Sequence, residues 1–174
     1  MSTVFRLSEA GSLALHATVF LAANPDDILS AVLRADPNLV AIAATREDKS
    51  IRLSAGEIAA ALNVSESHLA KVLQRLARAG LVRSVRGPNG GYTLAKASDR
   101  ITLLEVYEAV EGPLSTDDCL LEEPICSGRT CIFGGLVKKL NTEVKEHLAG
   151  TKLANLRDLY RSKDARGKKH RHHR

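Results

Sequence analysis

Apolar residues recur along most of the chain at the three-to-four-residue spacing of amphipathic helices. The pattern predicts a helix over residues 8–23, a break and restart at 24–27, and two short helices within 28–45, divided at 36–38. Further helices are predicted over residues 54–62, 65–79, 102–112, 133–149 and 153–160. The predicted fold is therefore dominated by helices.

Several of these helices carry sequence signals at their ends. Ser54 and Thr102 are each followed three residues later by glutamate. In such a capping box the hydroxyl accepts the third amide of the helix, and the glutamate accepts the amide of the capping residue. Ser8 and Ser65 are further N-cap residues, and Gly80 suits a helix end because glycine adopts the left-handed conformation without strain.

After Gly80 the pattern changes to that of strands. Residues 81–86 and 92–95 are strand-like, and the Gly-Pro-Asn-Gly-Gly run at 87–91 is a turn cluster, which together predict a β-hairpin with a glycine-rich tip. The order of helix, tight turn, helix and hairpin is that of a winged helix-turn-helix. The predicted fold class is mainly α with a small β-hairpin wing.

Composition agrees with a helical core, and the net positive charge comes from the C-terminal end. Hydrophobic residues make up 44% of the 174 residues, aromatic residues only 3%, and tryptophan is absent. The net charge is +5, but residues 161–174 carry seven Lys/Arg and one Asp. The rest of the chain is nearly neutral. We predict that this basic tail is disordered and solubilising, with attraction to DNA phosphates or metal binding by its histidines as alternatives.

No segment near the start predicts secretion or a membrane span. The longest apolar run there, residues 13–23, contains His16 and is too short to cross a bilayer. Three cysteines, an odd number, also argue against a secreted disulfide framework. We expect a soluble, cytoplasmic protein with no membrane partner.

Helix 65–79 has the features of a DNA-recognition helix. Its apolar stripe comprises Leu69, Val72, Leu73 and Leu76, and polar and basic side chains cover the opposite face. Basic groups contact phosphates, and Gln and Arg can also read base edges. A solvated helix face is the alternative interpretation, but the caps and the following wing favour DNA binding. The predicted DNA-contacting residues are Ser65, Ser67, His68, Lys71, Gln74, Arg75, Arg78, Arg83, Arg86, Asn89 and Gly90.

The stretch from His68 to Tyr92 resembles the signature of the Rrf2 family, the IscR/NsrR-type regulators. The likeness extends to residues 6–8, 101–106, 111–112 and 153–156. The resemblance implies a homodimer built on the long C-terminal helix, a palindromic double-stranded DNA operator, and a cysteine-bearing sensor loop before that helix. The implied organisation is a DNA-binding domain at 1–112, a sensor loop at 113–132, a dimerisation region at 133–160 and the tail at 161–174. A segment at about 25–52 is longer than the family usually has.

All three cysteines, Cys119, Cys126 and Cys131, lie within thirteen residues of the predicted sensor loop. Thiolates suit iron–sulfur clusters or zinc. In the members that this chain resembles, three loop cysteines hold an iron–sulfur cluster that controls DNA affinity. The resemblance therefore implies a 2Fe-2S or 4Fe-4S cluster and a repressor that senses redox state or nitric oxide. The family's spacing is closer to five and five residues, against six and four here.

The fourth cluster ligand is open, because Gly134 stands where some members have a histidine. Other members use an acidic residue of the partner's first helix. The matching position here is about Ser12, with Glu9 and His16 one turn away on either side.

Two alternatives to cluster sensing differ in class. The same regulator could use its cysteines as a thiol or zinc switch, or not at all. A cysteine-dependent enzyme would need a positioned base and an oxyanion site. His16, His68 and His147 are far apart, and no motif joins any of them to a cysteine such as Cys126. We therefore predict that the protein is not an enzyme.

Overall fold

The computed structural model of the chain describes residues 7–36, 52–87, 90–114, 119 and 132–161. Helix α1 (Glu9–Ala22) lies at the centre of this fold, where it packs against the helices Glu66–Arg78 and Leu103–Glu111 and the C-terminal element Leu153–Tyr160. The Ser8 hydroxyl caps it by accepting the Gly11 N–H at 3.2 Å. The Ala14, Ala17 and Phe20 side chains on α1 are completely buried. Small side chains there allow the neighbouring helices to approach closely.

Helix α2 (Pro25–Ala35) forms the first part of the segment at about 25–52. Pro25 stands in its first turn, where a missing N–H costs no hydrogen bond. Ile28 and Val32, one turn apart, are buried and face the core. This part of the segment therefore packs into the fold. The second short helix predicted within 28–45 lies outside the described residues.

The helix-turn-helix follows as α3 (Ala55–Leu62) and α4 (Glu66–Arg78). The predicted capping box is present, since Ser54 N donates to Glu57 Oε2 at 2.7 Å and Glu57 N donates to Ser54 Oγ at 3.1 Å. Asn63 has a φ of +54° and turns the chain between the two helices. Asparagine tolerates this left-handed conformation better than most residues do.

Helix α4 buries the predicted apolar stripe. Its members are at most 2% exposed: Leu69, Val72, Leu73 and Leu76. Ser65 caps the helix by accepting the His68 N–H at 3.5 Å. The helix ends at Arg78, and Gly80 then has a φ of +70°. The predicted buried face of this helix is therefore confirmed, and each end lies within one residue of its predicted bound.

The wing consists of β1 (Val82–Val85) and β2 (Gly91–Leu94), paired antiparallel with Val82 opposite Leu94. Each strand differs from its predicted bounds by one residue at each end. Leu53 adds a bridge on the far side of β2, where Leu53 N donates to Tyr92 O at 3.1 Å and Tyr92 N donates to Leu53 O at 2.7 Å. The wing is thus anchored to the chain just before α3.

Helix α5 (Leu103–Glu111) begins with the second predicted capping box, where Thr102 N donates to Glu105 Oε2 at 2.8 Å and Glu105 N donates to Thr102 Oγ1 at 3.2 Å. It ends at Gly112, whose φ is +87°. Apart from Cys119, the cysteine segment after residue 114 lies outside the described residues.

Helix α6 (Leu136–Gly150) begins three residues later than predicted. Gly134 and Gly135 have φ values of +52° and +82°, which a continuing helix does not allow, and they form a turn instead. The final element, Leu153–Tyr160, is a 3₁₀ helix rather than an α-helix. It is fastened to the start of α5 by Leu153 N donating to Ile101 O at 3.0 Å. The predicted disordered tail lies beyond the described residues.

Within the described ranges, no helix combines the length and the apolar character that a membrane span requires.

Candidate nucleic-acid interface

The face of α4 opposite its buried leucines is lined by four exposed polar side chains. These are Ser67, Lys71, Gln74 and Arg78. Their spacing of four, three and four residues keeps them on one side of the helix over three turns, about 16 Å at 1.5 Å per residue. An α-helix fits the major groove of B-DNA. This stripe, hereafter the outward stripe, therefore has the shape and the groups needed to meet base edges.

His68 and Arg75 lie on the flank of the same helix and contact other elements. Arg75 Nη1 donates to the Val110 carbonyl at the end of α5, at 3.3 Å. His68 Nδ1 lies 3.4 Å from Glu9 Oε1 at the start of α1. The structure thus separates the basic residues predicted on α4 into an outward group and a flank pair.

The start of α4 adds hydroxyl groups to this surface. Ser65 and Ser67 are exposed, and their Oγ atoms lie 3.1 Å apart. The first amides of a helix lack intrahelical acceptors and attract anions. Ser65 also caps the helix, so its removal would affect both the helix and any contact made there.

The wing places two arginines in solvent. Arg83 and Arg86 are exposed, and Arg83 stands opposite Thr93 in the hairpin. Gly90 turns the tip, with Gly90 N donating to Gly87 O at 2.9 Å. A Cβ at Gly90 would lie 2.8 Å from that carbonyl oxygen, so the turn itself requires glycine. The predicted contact residue Asn89 lies outside the described residues.

The interface has a net positive charge, whereas the chain outside the tail is nearly neutral. From residue 65 to residue 86 there are five basic residues and one acidic residue, Glu66. All five basic side chains are exposed. A basic surface on a fold whose other residues are net acidic is the electrostatic signature of phosphate binding.

The last turn of α5 makes a contact that the sequence analysis did not single out. Ser8 N donates to Glu111 Oε1 at 3.3 Å, and the Ser8 hydroxyl donates to the same oxygen. On the same helix, burial raises the pKa of Tyr107, and the negative charges of Glu111 and Glu108 raise it further. Ser8 and Glu111 are 103 residues apart, so no local sequence signal could have paired them.

Only part of the predicted metal site lies within the described residues. Cys119 is half-buried, and Cys126 and Cys131 lie outside them. Across the ranges that the structure describes, no group of three or more His, Cys, Asp or Glu could hold a metal ion. The cluster and its ligands therefore stay a prediction.

The three candidate fourth ligands have different surroundings. Glu9 faces His68, as described above. Ser12 and His16 line a cavity of about 290 Å³ between α1, the end of α3 and Tyr160. His16 Nδ1 lies 3.0 Å from Tyr160 Oη, so the imidazole already has one partner.

Tyr160 fastens the C-terminal 3₁₀ helix to α1. Its ring meets the Phe20 ring edge-on, with the centroids 5.2 Å apart. Its hydroxyl also donates to the His16 carbonyl at 3.3 Å. Burial raises the pKa of Tyr160 to about 12.

Comparison with known proteins gives a family match over most of the chain. The sequence profile of the Rrf2 family, described as "Iron-dependent Transcriptional regulator", matches residues 37–158. An HTH-type transcriptional regulator of Neisseria meningitidis serogroup A is 32% identical over 115 residues, which are 66% of this chain and 76% of the relative. The transcriptional regulator IscR of Erwinia tasmaniensis is 37% identical over 93 residues, which are 53% of this chain and 56% of the relative.

Solved structures agree with the winged-helix fold. CymR, titled the global cysteine regulator of B. subtilis, superposes with a TM-score of 0.63 at 26% identity, covering 89% of this chain and 98% of that one. IscR of T. potens superposes with a TM-score of 0.57 at 21% identity, covering 89% and 88%. The predicted family resemblance and fold class are confirmed. These relatives are named as transcriptional regulators. Their names agree with the prediction that the protein is not an enzyme.

Proposed function

Because the chain belongs to the Rrf2 family of transcriptional regulators, we propose that it binds a palindromic operator in double-stranded DNA as a homodimer. The observation that carries this proposal is the outward stripe of α4, which is polar, exposed and backed by a fully buried leucine stripe. Such a regulator acts in the cytoplasm, and we propose that it represses its targets.

The outward stripe supports a specific division of labour at the DNA. We propose that Gln74 and Arg78 read base edges in the major groove, where their amide and guanidinium groups can pair with adenine and guanine. Lys71 would hold a phosphate, with Ser65 and Ser67 adding phosphate contacts. Arg83 and Arg86 of the wing, with Asn89 and Gly90 at its tip, would meet the flanking backbone or minor groove.

The homodimer rests on the apolar side chains at the start of α6. Leu136 and Leu140 are 50% and 38% exposed, and Ile132 and Phe133 before them are 94% and 42% exposed. Leu136 and Leu140 are one turn apart and form the start of an apolar stripe. Pairing of two such stripes would bury them and place two recognition helices about 34–36 Å apart, one turn of DNA.

We propose that Cys119, Cys126 and Cys131 hold a 2Fe-2S or 4Fe-4S cluster that controls operator affinity. The family description as iron-dependent and the similarity to IscR support this assignment. The donor set also fits, since thiolates are the usual ligands of such clusters. When bound, the cluster would supply a group that changes with redox state or nitric oxide, and Glu9, Ser12 or His16 of the partner subunit would complete its ligands.

A thiol switch is the second candidate for the same three cysteines. The similarity to CymR, whose title names it a cysteine regulator, favours it. Absorption spectra of protein purified without oxygen separate the two. A brown sample whose colour is lost in Cys119→Ala, Cys126→Ala and Cys131→Ala supports the cluster. A colourless sample, also after reconstitution with iron and sulfide, supports the thiol switch.

DNA binding itself is tested by selection from random duplexes. The full-length protein is incubated with a random library, and bound DNA is amplified and sequenced. We expect enrichment of a palindrome whose half-sites are about one helical turn apart. The selection is run on folded protein, in parallel with and without oxygen. Failure to enrich any sequence in both conditions would contradict the proposed function.

A further inference from the structure

We propose that the last turn of α5 is the element that positions the recognition helix for sequence reading, through the Val110 carbonyl and the Glu111 carboxylate. This inference rests on the proposed function and extends it. It makes Arg75, His68 and Glu111 positioning residues, which orient the outward stripe without needing to touch a base themselves.

The first contact joins the middle of α4 to the end of α5. Arg75 Nη1 donates to the Val110 carbonyl at 3.3 Å. The last four carbonyls of a helix have no intrahelical donor, and they carry the negative end of the helix dipole. A guanidinium is therefore a suitable partner for Val110 O, and the contact fixes the distance between the two helices at this point.

The second contact joins the end of α5 to the start of α1. Glu111 Oε1 accepts from both the backbone amide and the hydroxyl of Ser8, the N-cap of α1. A carboxylate is favourable there because the first turn of a helix carries positive partial charge. Gly11 leaves the room for it, since a Cβ at position 11 would overlap Glu111 Oε1.

The third contact returns from α1 to α4. Glu9 follows Ser8 directly, and its carboxylate lies 3.4 Å from His68 Nδ1. His68 and Arg75 are two turns apart on the same flank of α4. The recognition helix is thus held at two points by α1 and α5, and those two helices are joined to each other at Glu111.

The position of this joint in the chain connects it to the cysteine segment. Gly112 follows Glu111 with a φ of +87°, and Leu114 N then donates to Glu108 Oε1 at 3.1 Å. The chain leaving toward Cys119 is therefore attached to the same last turn of α5. The described chain up to Leu114 is thus attached to the turn of α5 that also contacts α1 and α4.

Replacing Glu111 tests the proposal, because loss of its negative charge and loss of positioning change DNA affinity in opposite directions. Replacing Glu111 by Gln removes a negative charge, which by electrostatics alone leaves binding to any DNA unchanged or tighter. Loss of positioning instead weakens binding to the selected operator only. We expect Glu111→Gln to lower operator affinity by about tenfold, with affinity for a scrambled duplex unchanged or slightly higher.

Two further variants serve as controls for charge and for folding. Asp99→Asn removes a negative charge at an exposed position of the 3₁₀ turn Ser98–Arg100 and should leave the ratio of operator to scrambled affinity unchanged. Gly11→Ala changes no charge but displaces the Glu111 carboxylate, and should lower the ratio as Glu111→Gln does. The double variant should be no worse than the weaker-binding single variant, because Glu111→Gln weakens and Gly11→Ala displaces the same hydrogen bonds to Ser8.

An unchanged ratio in both Glu111→Gln and Gly11→Ala overturns the proposal, and so does equal weakening on both duplexes. Strictly additive losses in the double variant also overturn it. These outcomes are all measured against an operator that the wild-type protein selects. Absence of any selected operator is instead the failure of the proposed function.

Discussion

Individual residues on α4 are distinguished by the angle at which they leave the helix. Lys71, Gln74 and Arg78 leave it opposite the buried leucines, and within the described part of the chain no hydrogen bond or ion pair involves their side chains. His68 and Arg75 leave it about a quarter turn away and meet Glu9 and Val110. Basic side chains of α4 thus have different contacts depending on their place around the helix.

Lys71 provides the simplest test of this distinction. We expect Lys71→Ala to weaken binding several-fold on operator and scrambled DNA alike. The slope of log affinity against log salt should become shallower by about one, as expected for one lost phosphate contact. Lys145→Ala on α6 removes an equal charge away from α4 and is the control. A Lys71 variant that loses only operator binding would show that this residue reads sequence instead.

Helix periodicity could predict the outward stripe and the buried stripe, because both follow from 3.6 residues per turn. It could not predict which flank of α4 faces α1 and α5, since that depends on packing between distant segments. The contact between Arg75 and Val110 was therefore not predicted, whereas DNA contact by Arg75, Lys71 and Arg78 stays a prediction. Glu111 was not singled out for the same reason, because its partner Ser8 is at the other end of the DNA-binding domain.

Tyr160 makes a residue-scale prediction about pH. Its pKa is raised to about 12 in the fold, against about 10 in an unfolded chain. Stability from the neutral phenol is therefore fully present below pH 10 and is lost as pH rises toward 12. We expect the phenolate absorbance of wild type minus Tyr160→Phe to appear only near pH 12. A difference signal that appears near pH 10 would mean that the ring is not held against Phe20.

Secondary-structure elements were predicted well wherever the sequence carries a local signal for their ends. The capping boxes at Ser54 and Thr102 and the glycine after α4 stand where expected. The start of α6 was placed too early because the apolar residues before it continue a helical pattern, whereas Gly134 and Gly135 turn the backbone. The bridge from Leu53 to β2 was missed because a single residue carries no strand pattern.

That bridge leaves no room for a side chain at Gly91 of the wing. Its φ is +148°, and a Cβ there would lie 2.7 Å from the Leu53 carbonyl oxygen. We expect Gly91→Ala to lower the free energy of unfolding by about 2 kcal/mol, measured by denaturant titration. Gly150→Ala is the matched control, since a Cβ at Gly150 meets nothing within 4 Å. Equal effects of the two substitutions would contradict a close approach of Leu53.

At the scale of the whole molecule, the proposed dimer depends on the exposed side chains of α6. We expect Leu140→Glu to give a monomer by light scattering, because a buried charge opposite its own copy is unfavourable. Operator affinity should fall by about a hundredfold, since two linked DNA-binding domains bind far more tightly than one. Leu29→Glu on α2 is the control, because Leu29 and Leu140 are both 38% exposed. A dimeric Leu140→Glu protein would exclude this interface.

The central place of α1 has a consequence for how a signal can travel. Eight of its fourteen residues are buried, and it contacts α4, α5, β2 and the C-terminal 3₁₀ helix. None of these contacting elements can unfold without exposing part of α1 to solvent. Local unfolding of the described fold is therefore costly. We therefore expect a signal that crosses this part of the molecule to take the form of a small rigid-body tilt of intact helices, not an order–disorder transition.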